Sequence, residues 1–506
     1  MSLLMSQRCL RCLPLRRRSW PKLTNQARWL SSRRSGSQQT RFSYFSPAQK
    51  QSDDTQLFDV LSNSKLLANP LAHDAAVVLA TPHYARHVCD SAFVGNIARL
   101  LSGDAHLDQF HVLCAVVDHL TPASGESEAS QGISVLRGHL DATLPELWLR
   151  QPARSWENAE SVSSLFFDLG GSGITLPLAQ TTFQNSRPST LIASRFDMTP
   201  TTPQLAHKLD KYSQRINMTL NTPVKHVAGL RIWAPLSPVT HPRAVTESFG
   251  NIVRRVRVNR KSEPASMELE AALETMLKHR SAPEAPPGPV GVWAVVTPKG
   301  TEPLVCAPDP TPILRGEQLT RKAVETTAKD LEQSFYDGAR FYQILSGGGG
   351  WGAKKGLLSL DPERTHMIQS EEEAMTRFVQ TMEGSGFAPP GSQIQFFTVA
   401  QASPQDTTLS LSGTVFGVPN GAEEVADGAK GPESGYLVQG HFGALASKGI
   451  FVVGPADGEA QGVDESKMSI PGSRVYVDAF DEENDGLAVA GAAGMAVEAL
   501  AISLVM

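Results

Sequence analysis

The sequence predicts an α+β fold: a mixed sheet, a βαβ-like N-terminal unit and a β-rich C-terminal part. Three observations predict it. Two unbroken apolar runs of strand length, "AAVVLAT" (75–81) and "FHVLCAVVD" (110–118), flank a stretch whose Val88, Phe93, Ile97 and Leu100 fit one helical face. Strand, helix and strand with short connections imply a parallel pair under a covering helix. Beyond Pro389 the pattern turns to strands, and 41 Gly and 34 Pro in 506 residues suit a loop-rich chain better than a helical bundle.

The segments follow in order. Residues 1–52 hold eleven Lys or Arg and no acid before Asp53, interspersed with Leu, Ser and Trp. This composition predicts a mitochondrial transit peptide and disordered leader, with a matrix cleavage signal at "RWLS" (28–31). Removing residues 1–30 takes seven basic charges from a chain of formal charge −5 and leaves −12. So acidic a remainder argues against a broad nucleic-acid footprint, though a local basic patch stays open.

Residues 53–200 are expected as an α/β domain, with further strands at 132–138, 164–169, 174–183 and 189–196 set off by Gly, Asn, Pro and Ser. Residues 201–388 are expected as an α+β middle domain. Its stretch 199–221 is polar and unpatterned. "NIVRRVRVNR" (251–260) predicts an edge strand whose basic face carries Arg254, Arg255 and Arg257. Leu269, Leu273, Met276 and Leu277 predict a helix over 265–279; "VGVWAVVTP" (290–298) is a buried strand; a second helix is expected over 316–337, stopped by Gly338. Residues 389–506 are the β-rich part, with strands at 393–400, 408–418, 449–454 and 474–480. The apolar "LAVAGAAGMAVEALAISLVM" (487–506) just reaches the length of a membrane span. With Glu498 inside it and no basic flank, a buried element and a membrane anchor both remain readings.

The candidate ligand loop follows "FYQIL": Ser346, Gly347, Gly348, Gly349, Gly350, Trp351, Gly352, Lys354 and Lys355. Gly347, Gly349 and Gly352 match G-x-G-x-x-G. A dinucleotide site also requires a helix opening directly after the glycines, and Gly356 and Pro362 argue for turn and strand instead. The Walker arrangement fails, because Gly352 is followed by Ala353 and Lys354. The readings left are an anion or ligand loop using the two lysines, and a loop shaped by close backbone approach.

Other chemistry is sparse. His83 and His87 are spaced i, i+4 on the predicted first helix, but no third metal ligand is placed. "DEENDG" (481–486) lacks the closing Glu of a calcium loop, no G-x-S-x-G occurs, and His441 in "GHFGAL" has no evident partner. Cys89, Cys114 and Cys306 read as free thiols. No metal, cofactor or catalytic set is assigned.

The stretches "PLAQTTFQNSRPSTLIASRF" (177–196), "FGNIVRRVRVN" with "GVWAVV", and "LSGGGGWGAKKGLLSLDPE" (345–363) together resemble a family of filamentous-fungal mitochondrial proteins over most of the mature chain. The resemblance implies a mitochondrial address and brings no site residues with it. The element order over 75–138 is similar to the first half of FIST domains, which implies a small-ligand sensor. A binding protein for a small ligand or a mitochondrial protein partner is therefore the leading expectation. The alternatives are an enzyme acting on an anionic or nucleotide-like substrate through the glycine loop, and an RNA- or mitoribosome-associated factor.

Overall fold

The two apolar runs become parallel neighbours, Ala75–Ala80 and Gln109–Val116, at the centre of a seven-stranded sheet in this computed structural model. Residues 39–46, 54–64, 68–121, 131–151, 162–199, 202–220, 230–279, 291–300, 307–317, 319–347, 356–363, 387–400, 413–420, 435–455 and 463–477 are described. The crossover helix, Ser91–Ser102, starts at Asp90, whose carboxylate accepts the Ala92 N–H. It ends at Gly103, with φ 58°. Both faces of the parallel pair are buried. Ala76, Val78, Val112 and Cys114 pack beneath Phe93, Ile97 and Leu101 of that helix, while Val77, Leu79, Leu113 and Ala115 join the main core opposite. The expected α+β class, with its βαβ unit, is what forms.

On one side of the pair, Gly132–Gly138, Thr40–Phe45 and Tyr436–Gln439 continue the sheet; on the other, Leu191–Asp197 and Gln204–Asp210. A five-stranded sheet runs Val463–Met468, Ile450–Pro455, Gly173–Pro177, Ser164–Asp168, Ser213–Asn217. A four-stranded sheet runs Arg231–Trp233, Arg474–Tyr476, Gly413–Gly417, His441–Leu445. The segments 53–200, 201–388 and 389–506 therefore interleave, since two of these sheets combine strands from the first and last.

The remaining sheet closes on itself. Gln393–Val399 pairs antiparallel with Val292–Thr297 along one edge, and with Leu236–Pro238 and Arg243–Phe249 along the other. From Arg243–Phe249 the pairing continues through Ile252–Val258, Leu358–Leu360 and Arg340–Gly347 back to Val292–Thr297, which completes an antiparallel ring. Closure leaves no open edge in the ring. Its interior holds Val245, Val253, Val256, Ala294, Val296, Leu358, Leu360, Ile394 and Phe396, with Leu269 and Met276 of the helix Ala265–His279 in the same cluster. Outside, the helix Arg321–Tyr336 is capped by Thr320 and stopped before Gly338, φ 93°. It buries Val324, Ala328, Leu331 and Phe335, spaced as one helical stripe.

Four expectations are corrected. Residues 40–45 lie inside the segment read as a disordered leader, yet they form a strand with Phe42, Tyr44 and Phe45 buried. The basic composition masked a β-prone "TRFSYF". His83 and His87 do not share a helical face: each lies in its own short 3₁₀ turn, Pro82–Tyr84 and His87–Cys89, and the helix starts only after Asp90. The polar stretch 199–221 contains two strands, each the outermost of its sheet, where only part of the side-chain surface has to be apolar. Ile252–Val258, with Arg254, Arg255 and Arg257, is not an edge strand. It has Arg243–Phe249 on one side, and Leu358–Leu360 and Lys261–Pro264 on the other. A basic face shows that one face of the strand is wet; it does not show that the strand lies at an edge. The last hairpin turns through Asn259 and Arg260, φ 47° and 66°, the paired left-handed geometry of a tight two-residue loop.

Candidate functional site

Val292–Thr297 ends, Arg340–Gly347 begins, Leu358–Leu360 ends and Gln393–Val399 begins at one mouth of the ring. Against this mouth lies Val463–Met468 of the five-stranded sheet. A cleft of about 410 Å³ opens between them. That volume is in the range that small organic ligands occupy, and barrel mouths are a common place for such sites.

Its polar centre is Lys467. The ammonium donates to Asp361 Oδ2 at 2.8 Å and to the Glu363 carboxylate. Local sequence sets up this pair: after "LSL", the Asp361 Oδ1 accepts the Glu363 N–H at 3.0 Å across Pro362, which folds the two carboxylates toward one point. Lys467 reaches them from the hairpin strand opposite, where it is in register with Phe451, and its Nζ lies 6.0 Å from that ring's centre. The Lys467 and Asp361 side chains are 13% and 11% exposed, against 47% for Glu363. Burial alone pushes the lysine pKa down, but the hydrogen bonds it donates to Asp361 and Glu363 outweigh it. The pKa is raised overall, and the ammonium stays charged at neutral pH.

The walls are aromatic and charged. Tyr342 meets Phe387 edge-on at 5.7 Å, and Phe341 stacks on Phe335 at 5.6 Å. Arg340 lies over Phe335, its Cζ 5.4 Å from the ring centre, with Nη1 donating to the Ala339 carbonyl at 2.8 Å. Lys299 and Glu465 also line the cleft. Three basic and three acidic side chains therefore face a pocket with an aromatic wall. Such a set recognises a polar molecule through charge and ring contacts.

The candidate ligand loop lies apart from this mouth where it can be followed. Ser346 and Gly347 are exposed at the far end of Arg340–Gly347, four and five residues from Tyr342 at about 3.3 Å of rise each. A Cβ on Gly347 would stand 2.2 Å from Leu358 Cδ2, the end of a side chain that can turn away, so the partner strand's backbone does not require glycine here. Gly348, Gly349, Gly350, Trp351, Gly352, Lys354 and Lys355 lie outside the described residues, as do Cys306, 481–486 and 487–506.

On the basic face, Arg254 pairs with Glu247 at 2.7 Å and Arg255 donates to Ser262 Oγ at 3.1 Å, while Arg257 is exposed. Cys89 and Cys114 are free thiols. No cluster of His, Cys, Asp and Glu suited to a metal ion occurs among the described residues, and no described helix is long and apolar enough to cross a membrane.

Sequence reasoning missed two things here. It read the run through "SLDPE" as turn and strand and passed over Lys467 in "DESKMSI", because the two meet only through the packing of separate sheets. It also left His441 without a partner. The ring is buried, with Nδ1 2.7 Å from Ser43 Oγ, and that hydroxyl donates onward to Ser134 Oγ at 2.8 Å. No family model, curated protein or solved structure matches this chain.

Proposed function

We propose that this is a mitochondrial, non-catalytic binding protein that takes a small polar ligand bearing an anionic group into the cleft at the ring mouth. One observation carries the reading: a charged, largely buried Lys467 shared by two carboxylates beside an aromatic wall, in a cleft of ligand size. The ligand's anionic group competes with Asp361 and Glu363 for Lys467 and takes Arg340 or Lys299 as a second cation. Tyr342 and Phe387 contact its body. The test is a thermal-shift panel of nucleotides, acyl-CoAs, amino acids and small organic acids on the full chain. At least one class should raise Tm, and the rise should vanish in Lys467→Met and Tyr342→Ala. A flat response from every class would sink the reading.

The mitochondrial part rests on the acid-free, basic first 52 residues. Import into isolated mitochondria should shorten the chain at its N-terminus, with sequencing beginning near Ser31. A chain left outside the organelle and starting at Met1 contradicts it.

A further inference from the structure

A cluster of two imidazoles and a guanidinium stands on the seven-stranded sheet. The register sets His111, Arg195 and His207 side by side on three adjacent strands: His111 faces Arg195, and Arg195 faces His207. The indole of Trp148 gathers all three. Its centre lies 5.6 Å from the His111 ring and 5.3 Å from the His207 ring, and the Arg195 Cζ is 6.0 Å away. Trp148 sits where it does because Lys211 Nζ donates to the Leu147 carbonyl at 2.8 Å and fixes the preceding turn.

The hydrogen bonding defines what the cluster offers. Trp148 Nε1–H donates to His111 Nδ1 at 3.2 Å, so the neutral imidazole carries its own proton on Nε2 and presents a donor there. Arg195 is half-buried, its Nε is buried without a partner, and it forms no ion pair with any described residue. The charges of Asp74 and Asp141 reach His111, and three nearby carboxylates have hydrogen-bond or ion-pair partners. Asp74 accepts the Leu140 N–H at 2.8 Å, Asp197 accepts from Gln109 at 3.0 Å, and Asp210 pairs with Arg187 at 2.7 Å. A buried guanidinium donor with nothing to meet is destabilising. An oxyanion that accepts from Arg195 and from the imidazoles beside it would relieve this.

We propose that His111, Arg195 and His207, beside Trp148, form a binding site for a tetrahedral phosphoryl group, either free phosphate or a small phosphate monoester. A guanidinium fork suits two oxygens of such a group. Donors carried on three adjacent strands can reach separate oxygens, which suits a tetrahedral anion. This site is independent of the ring-mouth cleft and does not rest on it.

Calorimetric titration of the full chain tests it, with inorganic phosphate and phenyl phosphate in two arms and benzoate in a third. Both phosphates should bind and benzoate should not. Arg195→Gln should weaken binding roughly tenfold or more, as expected for losing a charge-assisted pair. His207→Gln, on an exposed strand, should weaken binding severalfold with unfolding behaviour unchanged, which keeps the test valid if the arginine variant misfolds. Arg254→Gln, a basic side chain paired with Glu247 outside both sites, should leave phosphate binding intact. Tighter binding of phenyl phosphate assigns the site to an ester, and equal binding assigns it to the free ion. Absence of heat with either phosphate, benzoate binding as tightly as phenyl phosphate, or unchanged affinity in both variants would overturn the proposal.

Discussion

Replacing Lys467 with Met is expected to destabilise the fold by about 3 kcal/mol, because it leaves the Asp361 carboxylate largely buried without its cation. The arm to Glu363 adds little, since that carboxylate is nearly half exposed and solvent screens it. Glu363→Gln should accordingly cost less than about 1 kcal/mol. The double variant Lys467→Met/Asp361→Leu should recover most of the loss, because the penalty is an uncompensated charge and the apolar replacements fill the same space. Urea unfolding of the four proteins checks this. A Lys467→Met variant within about 0.5 kcal/mol of wild type would show that water, not the lysine, satisfies Asp361.

Stability should fall steeply below neutral pH, through two buried histidines. His441 is pushed down to about 4 by burial. His73 is also pushed down to about 4, by burial first and then by the Arg137 guanidinium and His139. Neither ring nitrogen of His73, nor the Nε2 of His441, has a hydrogen-bond partner among the described residues, so protonation would place an uncompensated charge in the core. Both folded pKa values lie below the ordinary histidine value of 6.5. Between 6.5 and 4 the unfolded chain therefore binds more protons than the folded one. The stability these neutral rings retain is full above 6.5, declines as pH falls through that window, and changes no further below about 4. Each histidine contributes about 2–3 kcal/mol across the window. The urea midpoint should drop accordingly between about pH 7.5 and pH 4.5, and His441→Gln should make the drop measurably smaller. A flat profile would mean that both rings reach water.

Much of the fold was legible where burial forces a pattern. The strands Ala75–Ala80 and Gln109–Val116 are wrapped on both faces and read as unbroken apolar runs, and Ala265–His279 carries its stripe at helical spacing. Outermost strands were not legible. Gln204–Asp210 is almost wholly exposed, and nothing in its side chains distinguishes it from a loop. Ring closure was hidden for a different reason. It depends on Gln393–Val399 pairing on both edges, and periodicity reports which face a strand buries, not which strands lie beside it. The site follows the same logic. The stretch around the glycines drew attention through its composition, whereas Asp361 and Lys467 are single residues of common types, 106 positions apart, brought together only by two sheets. The phosphoryl-group cluster is alike in this respect: His111, Arg195 and His207 become neighbours through strand register alone.

The central claim is that the ring-mouth cleft is the ligand site. It is tested most directly by a crystal structure of the chain with whichever compound gives the largest thermal shift. The account predicts that compound between Tyr342, Phe387 and Lys467, with its anionic group within hydrogen-bond reach of the ammonium and the Lys467–Asp361 contact lengthened from 2.8 Å. The same compound bound elsewhere on the chain, with that contact undisturbed, would contradict it.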